Sequence, residues 1–431
     1  MTEFLGALEQ ALGSRVMRAV QVAGGASKEA WAIDTGDGCA LFLRRALGGA
    51  IHMDTLSLAD EFETIVAARD AGVTVAEPIA YLGVLEGREA FVTARLEGET
   101  IGRRIVRDPP QDLDLRMAEE LARIHAISRE RVQFLPEPDL FARLEAELDA
   151  VDEPHPAIEY GLAWCRERIP LDRPRVVLHG DFRVGNLMVS EGTLAAVLDW
   201  EFAHVGDPAG DVAWPFVRAW RFGADELRLG GIANVDRYLE RYAELTGTEI
   251  PAPELHAWEV LGNCKWAIGS LSQARRHLRG EERSVELAIL GRLAVEMELE
   301  LLDLIGARPG GGDEPVEVAH DRPSAGELAA AVREFLEQEL LPTVDDHRLK
   351  FRTLVAMNAL GIVERESPEP VERDGTLADA IRQQGTRAVD PESLRGDVER
   401  RMEVASPRLL ARYRGMTASD RAGGGPYEPA P

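Results

Sequence analysis

A chain of 431 residues with 75 Asp and Glu against 49 Lys and Arg carries a formal charge of −26. That surplus excludes a nucleic-acid binder, whose phosphate contacts need positive surface, and it excludes docking on an anionic membrane. At roughly 150 residues per domain the length implies two or three domains, and a hydrophobic share of 45% can fill their cores. Lysine is scarce: Lys28, Lys265 and Lys350 are the whole set, and every other base is Arg. Three widely spaced cysteines, Cys39, Cys165 and Cys264, form no CxxC pair, so neither a disulfide framework nor a zinc site is expected. The N-terminus lacks a basic region followed by an apolar one, and no apolar run reaches the ~18 residues of a membrane span. The expectation is a cytoplasmic protein.

The first 20 residues place Phe4, Leu5, Leu8, Leu12 and Val16 at helical spacing and predict a helix. A turn-rich stretch, Ala23 to Ser27, precedes two predicted strands, Ala30–Ile33 and Ala40–Arg44, joined by a turn over 34–38. A helix over 57–71 and a second strand pair, Pro78–Leu82 and Ala90–Ala94, complete a small strand-rich lobe. A helix follows over 112–128, then a short buried strand Val176–Leu178. A hairpin pairs Leu187–Val189 with Leu194–Leu198 across Ser190-Glu191-Gly192, and 235–305 is helical with breaks near Pro251 and Pro253. Residues 306–322, rich in Gly, Pro and charge, read as a linker. Ser324 and Glu327 form a capping box that opens further helices over 324–342, 345–366, 375–385 and 390–412.

Chemistry concentrates in His179-Gly180-Asp181-Phe182-Arg183-Val184-Gly185-Asn186 and in Leu198-Asp199-Trp200-Glu201. A buried strand delivers a loop with a carboxylate and, five residues on, an amide; a hairpin then returns a second carboxylate. Phosphoryl transfer from ATP needs these groups: one carboxylate to take the acceptor proton, and an amide with a second carboxylate to hold Mg²⁺. The Asp-to-Asn interval equals that of the protein-kinase catalytic loop, and Asp199 falls where the kinase DFG aspartate would.

On these residues, and on Gly206-Asp207-Pro208-Ala209-Gly210-Asp211, the sequence resembles the aminoglycoside phosphotransferase-like family of the kinase-like superfamily. The closer resemblance is to a bacterial subgroup related to the kinase-like domain fused to some acyl-CoA dehydrogenases. The resemblance covers about residues 1–305. It implies an α+β, bilobal protein kinase-like fold with a strand-rich N-lobe and a helical C-lobe, followed here by a small all-α C-terminal domain. The expected boundaries are 1–97 for the N-lobe, 98–306 for the C-lobe, 307–322 for the linker, 323–414 for the helical domain and 415–431 for a disordered tail. The resemblance further implies ATP, with GTP as the alternative, Mg²⁺, and a small-molecule hydroxyl as acceptor. Asp181 is then the catalytic base, with His179 bracing its loop, Asn186 and Asp199 are the metal ligands, and Asp211 secures the loop.

One departure concerns the lysine that kinases place on the third strand. None is available there. Strand alternation puts Arg44 on one face and Arg45 on the other, and Arg44 is expected to hold the phosphates with Glu61 as its helix partner. Lys28 is the alternative, reaching in from the loop whose Gly24, Gly25 and Ser27 offer backbone N–H groups and a hydroxyl. Trp200, Trp214, Trp220, Trp258 and Trp266, interleaved with Arg218, Arg221, Lys265, Arg275 and Arg276, suit an anionic or acyl-CoA-like acceptor. His125 is expected to pack against the catalytic loop, and Glu201 is either an extra metal ligand or the partner of a base. The C-terminal domain carries no chemical motif; docking on the kinase unit, a homodimer and a protein partner all remain open. The rival reading is a nucleotide-binding pseudoenzyme or scaffold acting through that domain. A protein kinase is disfavoured, because only 12 residues separate Asp199 from Asp211.

Overall fold

The computed structural model describes residues 2–22, 28–46, 55–151, 153–279, 281, 285–307, 329, 332–333, 336–366 and 375–415. The predicted capping box at Ser324 and Glu327, most of the linker and the tail beyond 415 lie outside these residues. The chain forms two compact units, one of residues 1–139 and 170–255, the other of 140–169 and 256–431.

The first unit begins with a helix, Thr2–Leu12, and then departs from the expected helix over the first 20 residues: Val16–Val22 is a strand, β1. The helical spacing of Val16 is coincidental. Its β-branched segment pairs antiparallel with β2 (Lys28–Thr35), and this long-range ladder overrides local periodicity. With β3 (Ala40–Ala46), β4 (Pro78–Leu85) and β5 (Arg88–Ala94), the sheet has the order β1-β2-β3-β5-β4, antiparallel throughout. Phe4 and Leu8 of the first helix pack with Trp31, Ile33, Leu41, Leu43 and Val92 on one sheet face. Side-chain alternation along β3 sorts its arginines. Arg45 stacks over the Phe4 ring at 4.8 Å, whereas Arg44 faces the opposite side and Glu61.

Glu61 belongs to the helix Leu58–Asp70, which Ser57 caps by accepting the Asp60 N–H at 3.1 Å. Phe62 of that helix meets Phe91 with ring centroids 5.8 Å apart, which anchors the helix on the sheet and sets Glu61 beside β3. Farther along, β6 (Val176–Leu178) pairs with β9 (His204–Gly206), a strand the sequence did not announce, and β7 (Leu187–Ser190) pairs with β8 (Thr193–Val197). The loop after β6 and the chain after β8 carry the two halves of the chemical motif.

In the second unit the C-terminal helices pack with residues from well before the expected boundary at 323. Arg382, on the helix Gly375–Gln384, pairs with Asp149 and Glu159. Arg395, 1% exposed on the helix Pro391–Ala405, donates to Asp303 at 2.5 Å, to the Ala307 carbonyl at 2.8 Å and to Glu399 at 2.9 Å. Glu298 joins His155 at 2.8 Å to Arg401. Buried charges persist only when so matched. The stretch read as one helix over 390–412 breaks at Ser406-Pro407, because proline cannot continue it.

Candidate active site

The described candidates for the catalytic, nucleotide and metal roles all fall in the first unit. Gly24, Gly25 and Ser27 lie outside the described residues; Lys28 is the first residue of β2.

The loop after β6 is held from below. Gly206-Asp207-Pro208 starts a short helix, Pro208–Ala213, with Asp207 accepting the Ala209 N–H at 2.9 Å and Pro208 at its first position. One turn on, the Asp211 carboxylate accepts the backbone N–H of His179 at 2.6 Å and of Gly180 at 3.0 Å. His125 stands 3.6 Å from Asp211 and shares a 2.7 Å hydrogen bond with the Tyr242 hydroxyl. Burial opposes ionisation of Asp211, but His125 and the other nearby histidines outweigh it and hold its carboxyl at about 2. Gly180 has φ +81, and a Cβ there would lie 2.2 Å from the Phe202 carbonyl oxygen. Gly180→Ala is therefore expected to cost about 3 kcal/mol, the sum of a left-handed backbone and a displaced neighbour; guanidinium unfolding of the variant measures it.

His179 is fully buried. Its Nδ1 accepts the Asp181 N–H at 3.2 Å, which leaves the proton on Nε2, 2.9 Å from the Leu198 carbonyl. Burial pushes its pKa down against the pull of Asp211 and Asp181. With both nitrogens engaged by backbone, His179 ties the Asp181 loop to Leu198, the residue after β8.

Asp181 is held by three side chains. Oδ1 accepts from Trp214 Nε1 at 2.6 Å and from Arg183 Nε at 3.0 Å; Oδ2 accepts from Asn186 Nδ2 at 2.6 Å. Asn186 also donates to the Asp181 carbonyl at 2.9 Å, and its own carbonyl accepts the Leu198 N–H at 2.8 Å. The residue that fixes Asp181 is thus pinned to the residue before Asp199. Arg183 went unassigned in the sequence reading, although the motif contains it. Its guanidinium lies 4.3 Å from the Trp220 ring centre, and Gly185 makes room for it, since a Cβ there would fall 2.2 Å from Arg183.

Asp199 has φ +58, which turns its carboxylate away from the run of β8. Arg44 donates to it at 2.5 Å and stands 3.6 Å from Glu61. Lys28 bonds Glu61 closely and Glu201 at 2.8 Å. Burial raises Asp199, but Arg44 and then Lys28 outweigh it and bring its pKa to about 2; Glu201 rises, because burial there exceeds the help from Lys28. Glu201 is therefore the partner of a base. Glu61 serves both Lys28 and Arg44.

The expected cationic patch has a different character. Arg218 pairs with Asp225 at 2.7 Å, and Arg221, 1% exposed, donates to the carbonyls of Phe216 and Asp225. Lys265, Arg275, Arg276, Trp258 and Trp266 belong to the second unit.

Residues 18–245, more than half of the chain, match the phosphotransferase enzyme family. The chain belongs to that family. Among curated proteins the chain is 25% identical over 339 residues to acyl-CoA dehydrogenase family member 11 of Gallus gallus, covering 71% of this chain and 43% of the other. It is 28% identical over 158 residues to family member 10 of Mus musculus, covering 33% and 14%. The chain thus spans less than half the length of these relatives. Among solved structures, a Ralstonia eutropha protein provisionally assigned as an aminoglycoside phosphotransferase superposes with TM-score 0.55 at 20% identity, covering 69% of this chain and 96% of that one. A spectinomycin phosphotransferase in complex with ADP and spectinomycin gives 0.51 at 14%, covering 70% and 98%. These likenesses establish the kinase-like fold of the aminoglycoside phosphotransferases, with its strand-rich N-terminal sheet and mostly helical remainder.

Proposed function

We propose that the protein transfers the γ-phosphoryl group of ATP to a hydroxyl of a small molecule, with Asp181 as the base. The observation that carries this is the Asn186 bridge, which fixes Asp181 through its amide and the Asp199 strand end through its carbonyl, beside the buried Lys28–Glu61 pair and the half-buried Arg44. Asp181 Oδ1 already accepts two N–H groups and Oδ2 only one. An acceptor hydroxyl is received at Oδ2. It gives up its proton there as its oxygen bonds to the γ-phosphorus and the bond to the β-phosphate oxygen breaks, leaving ADP.

Asn186 and Asp199 offer one amide oxygen and one carboxylate to Mg²⁺, a donor set that fits a cation completed by phosphate oxygens and water. Among the described residues no cluster of three or more His, Cys, Asp or Glu side chains offers an alternative. When bound, Mg²⁺ supplies charge neutralisation at the phosphates.

Arg44 is assigned to the phosphates, with Lys28 holding Glu61 in place. An arginine–phosphate pair contributes about 1.5–3 kcal/mol, so Arg44→Ala is expected to weaken ATP binding by about 10-fold or more, read by calorimetric titration. An untouched affinity in Arg44→Ala combined with abolished binding in Lys28→Ala would move the assignment to Lys28.

For the acceptor we infer a hydroxyacyl thioester or a related anionic metabolite. The support is the kinship with proteins named for acyl-CoA dehydrogenases, since Arg218 and Arg221 serve internal partners. ADP release with Mg-ATP and a panel of hydroxyacyl-CoA thioesters and aminoglycosides tests both statements. Stimulation by a hydroxyacyl-CoA alone is the expected result. Stimulation by an aminoglycoside alone overturns the acceptor. ATP-dependent thermal stabilisation with no stimulated turnover by any hydroxyl compound leaves the nucleotide-binding scaffold.

A further inference from the structure

The two cations near Glu61 do not share their carboxylates evenly. Lys28, 6% exposed, is closed in between Glu61 and Glu201, and its position at the start of β2 gives it no other described carboxylate within ion-pair distance. Arg44 reaches Glu61 only at 3.6 Å, and its short contact, 2.5 Å, is to Asp199 Oδ1. Asp199 is the one carboxylate assigned to the metal, and its side chain is more exposed than that of Arg44, 37% against 16%. Its backbone is held at φ +58 with the preceding residue pinned to Asn186, which fixes where the side chain leaves the chain.

We propose that Arg44 is the resting counter-ion of Asp199, so that the guanidinium and a divalent cation are alternative partners of one carboxylate, and the metal is admitted together with nucleotide phosphates that draw Arg44 away. The proposal rests on the assignment of Asp199 to the metal and of Arg44 to the phosphates. Its physical core is the identity of residue 44. A lysine crowded by a divalent cation can relieve the repulsion by giving up a proton; an arginine stays charged at every accessible pH, so relief requires the side chain to move. Movement is favoured by a further anionic destination, because Glu61 is already bonded by Lys28 and contacted by Arg44 at 3.6 Å. The phosphates of the nucleotide supply it. Metal binding without nucleotide is consequently weak, and metal and nucleotide bind with positive coupling.

The test is binding of Mn²⁺ to the full chain without nucleotide, followed by electron paramagnetic resonance of the unbound ion. It compares the wild type, Arg44→Gln, Arg44→Lys, and Arg44→Gln combined with Asp199→Asn. Arg44→Gln is expected to bind Mn²⁺ at least tenfold more tightly than the wild type, and the double variant to lose that gain. Arg44→Lys, which keeps a cation on the same strand and guards against a folding artefact of the neutral variant, is expected to bind more weakly than Arg44→Gln. Addition of ADP is expected to tighten Mn²⁺ binding to the wild type more than to Arg44→Gln. Equal Mn²⁺ affinity of the wild type and Arg44→Gln without nucleotide overturns the counter-ion proposal while leaving the metal assignment intact. A gain in Arg44→Gln that survives Asp199→Asn shows that the ion binds elsewhere, and then the metal assignment fails with it.

Discussion

Replacing Asp181 by Asn is expected to slow phosphoryl transfer by about 10³-fold, within the range that a positioned general base contributes, while ADP binding stays near the wild-type value. The variant keeps the shape of the side chain and loses only its capacity to take a proton and to accept from every donor around it. Three donors converge on this carboxylate, from Trp214, Arg183 and Asn186. An amide in its place turns an N–H toward at least one of them. The turnover loss is therefore a loss in kcat, read as ADP release under saturating Mg-ATP and acceptor, and calorimetric titration with ADP shows whether the nucleotide site survived. A variant that lost ADP affinity and turnover in equal measure would mean that Asp181 shapes the nucleotide site and is not the base.

The largest stability effect is expected at Asp211. This carboxylate, 2% exposed, accepts two backbone N–H groups of the loop that carries Asp181 and faces His125. Asp211→Asn removes a buried charge that these donors and the histidine all require, a class of change that costs about 3–5 kcal/mol. In a unit of this size that corresponds to a fall in Tm of roughly 10 °C. The same group sets an acid limit. Its carboxyl is held at about 2 against an ordinary 3.8, so the folded state prefers it ionised. That preference is fully present above pH ~4 and is lost as pH falls toward ~2, an amount of about 2 kcal/mol. Urea unfolding at a series of pH values should show this decline in the wild type, and a shallower one in Asp211→Asn. An unchanged slope would mean that another carboxylate governs acid unfolding.

What was legible in the sequence was what is local. The motif from His179 to Asp211 spans a strand, a loop and a hairpin whose turn signals and alternation are short-range, and its residues lie together in the folded site. The sorting of Arg44 and Arg45 to opposite faces followed from strand geometry alone. The misreading of Val16–Val22 has the opposite origin: its structure comes from a ladder with β2, and helical spacing within the segment carries no information about a partner strand. Arg183 was overlooked because its role depends on Trp220 and on the missing side chain at Gly185, a contact across 37 residues and a vacancy in the chemistry of the loop. The grouping of residues 140–169 with the C-terminal helices was invisible for the same reason. It rests on pairs such as Glu159 with Arg382 and His155 with Glu298, each separated by more than 100 positions.

The division of labour between Lys28 and Arg44 also decides how the site can be addressed chemically. Amine-directed affinity labels, such as nucleotide acyl phosphates, are built to acylate a lysine beside the phosphates. With arginine at position 44, the unit that contains the site has Lys28 as its single lysine side chain. Lys28 is clamped between Glu61 and Glu201 and keeps little nucleophilic character while it is paired. The protein should therefore be poorly captured by reagents that profile kinases through their lysines.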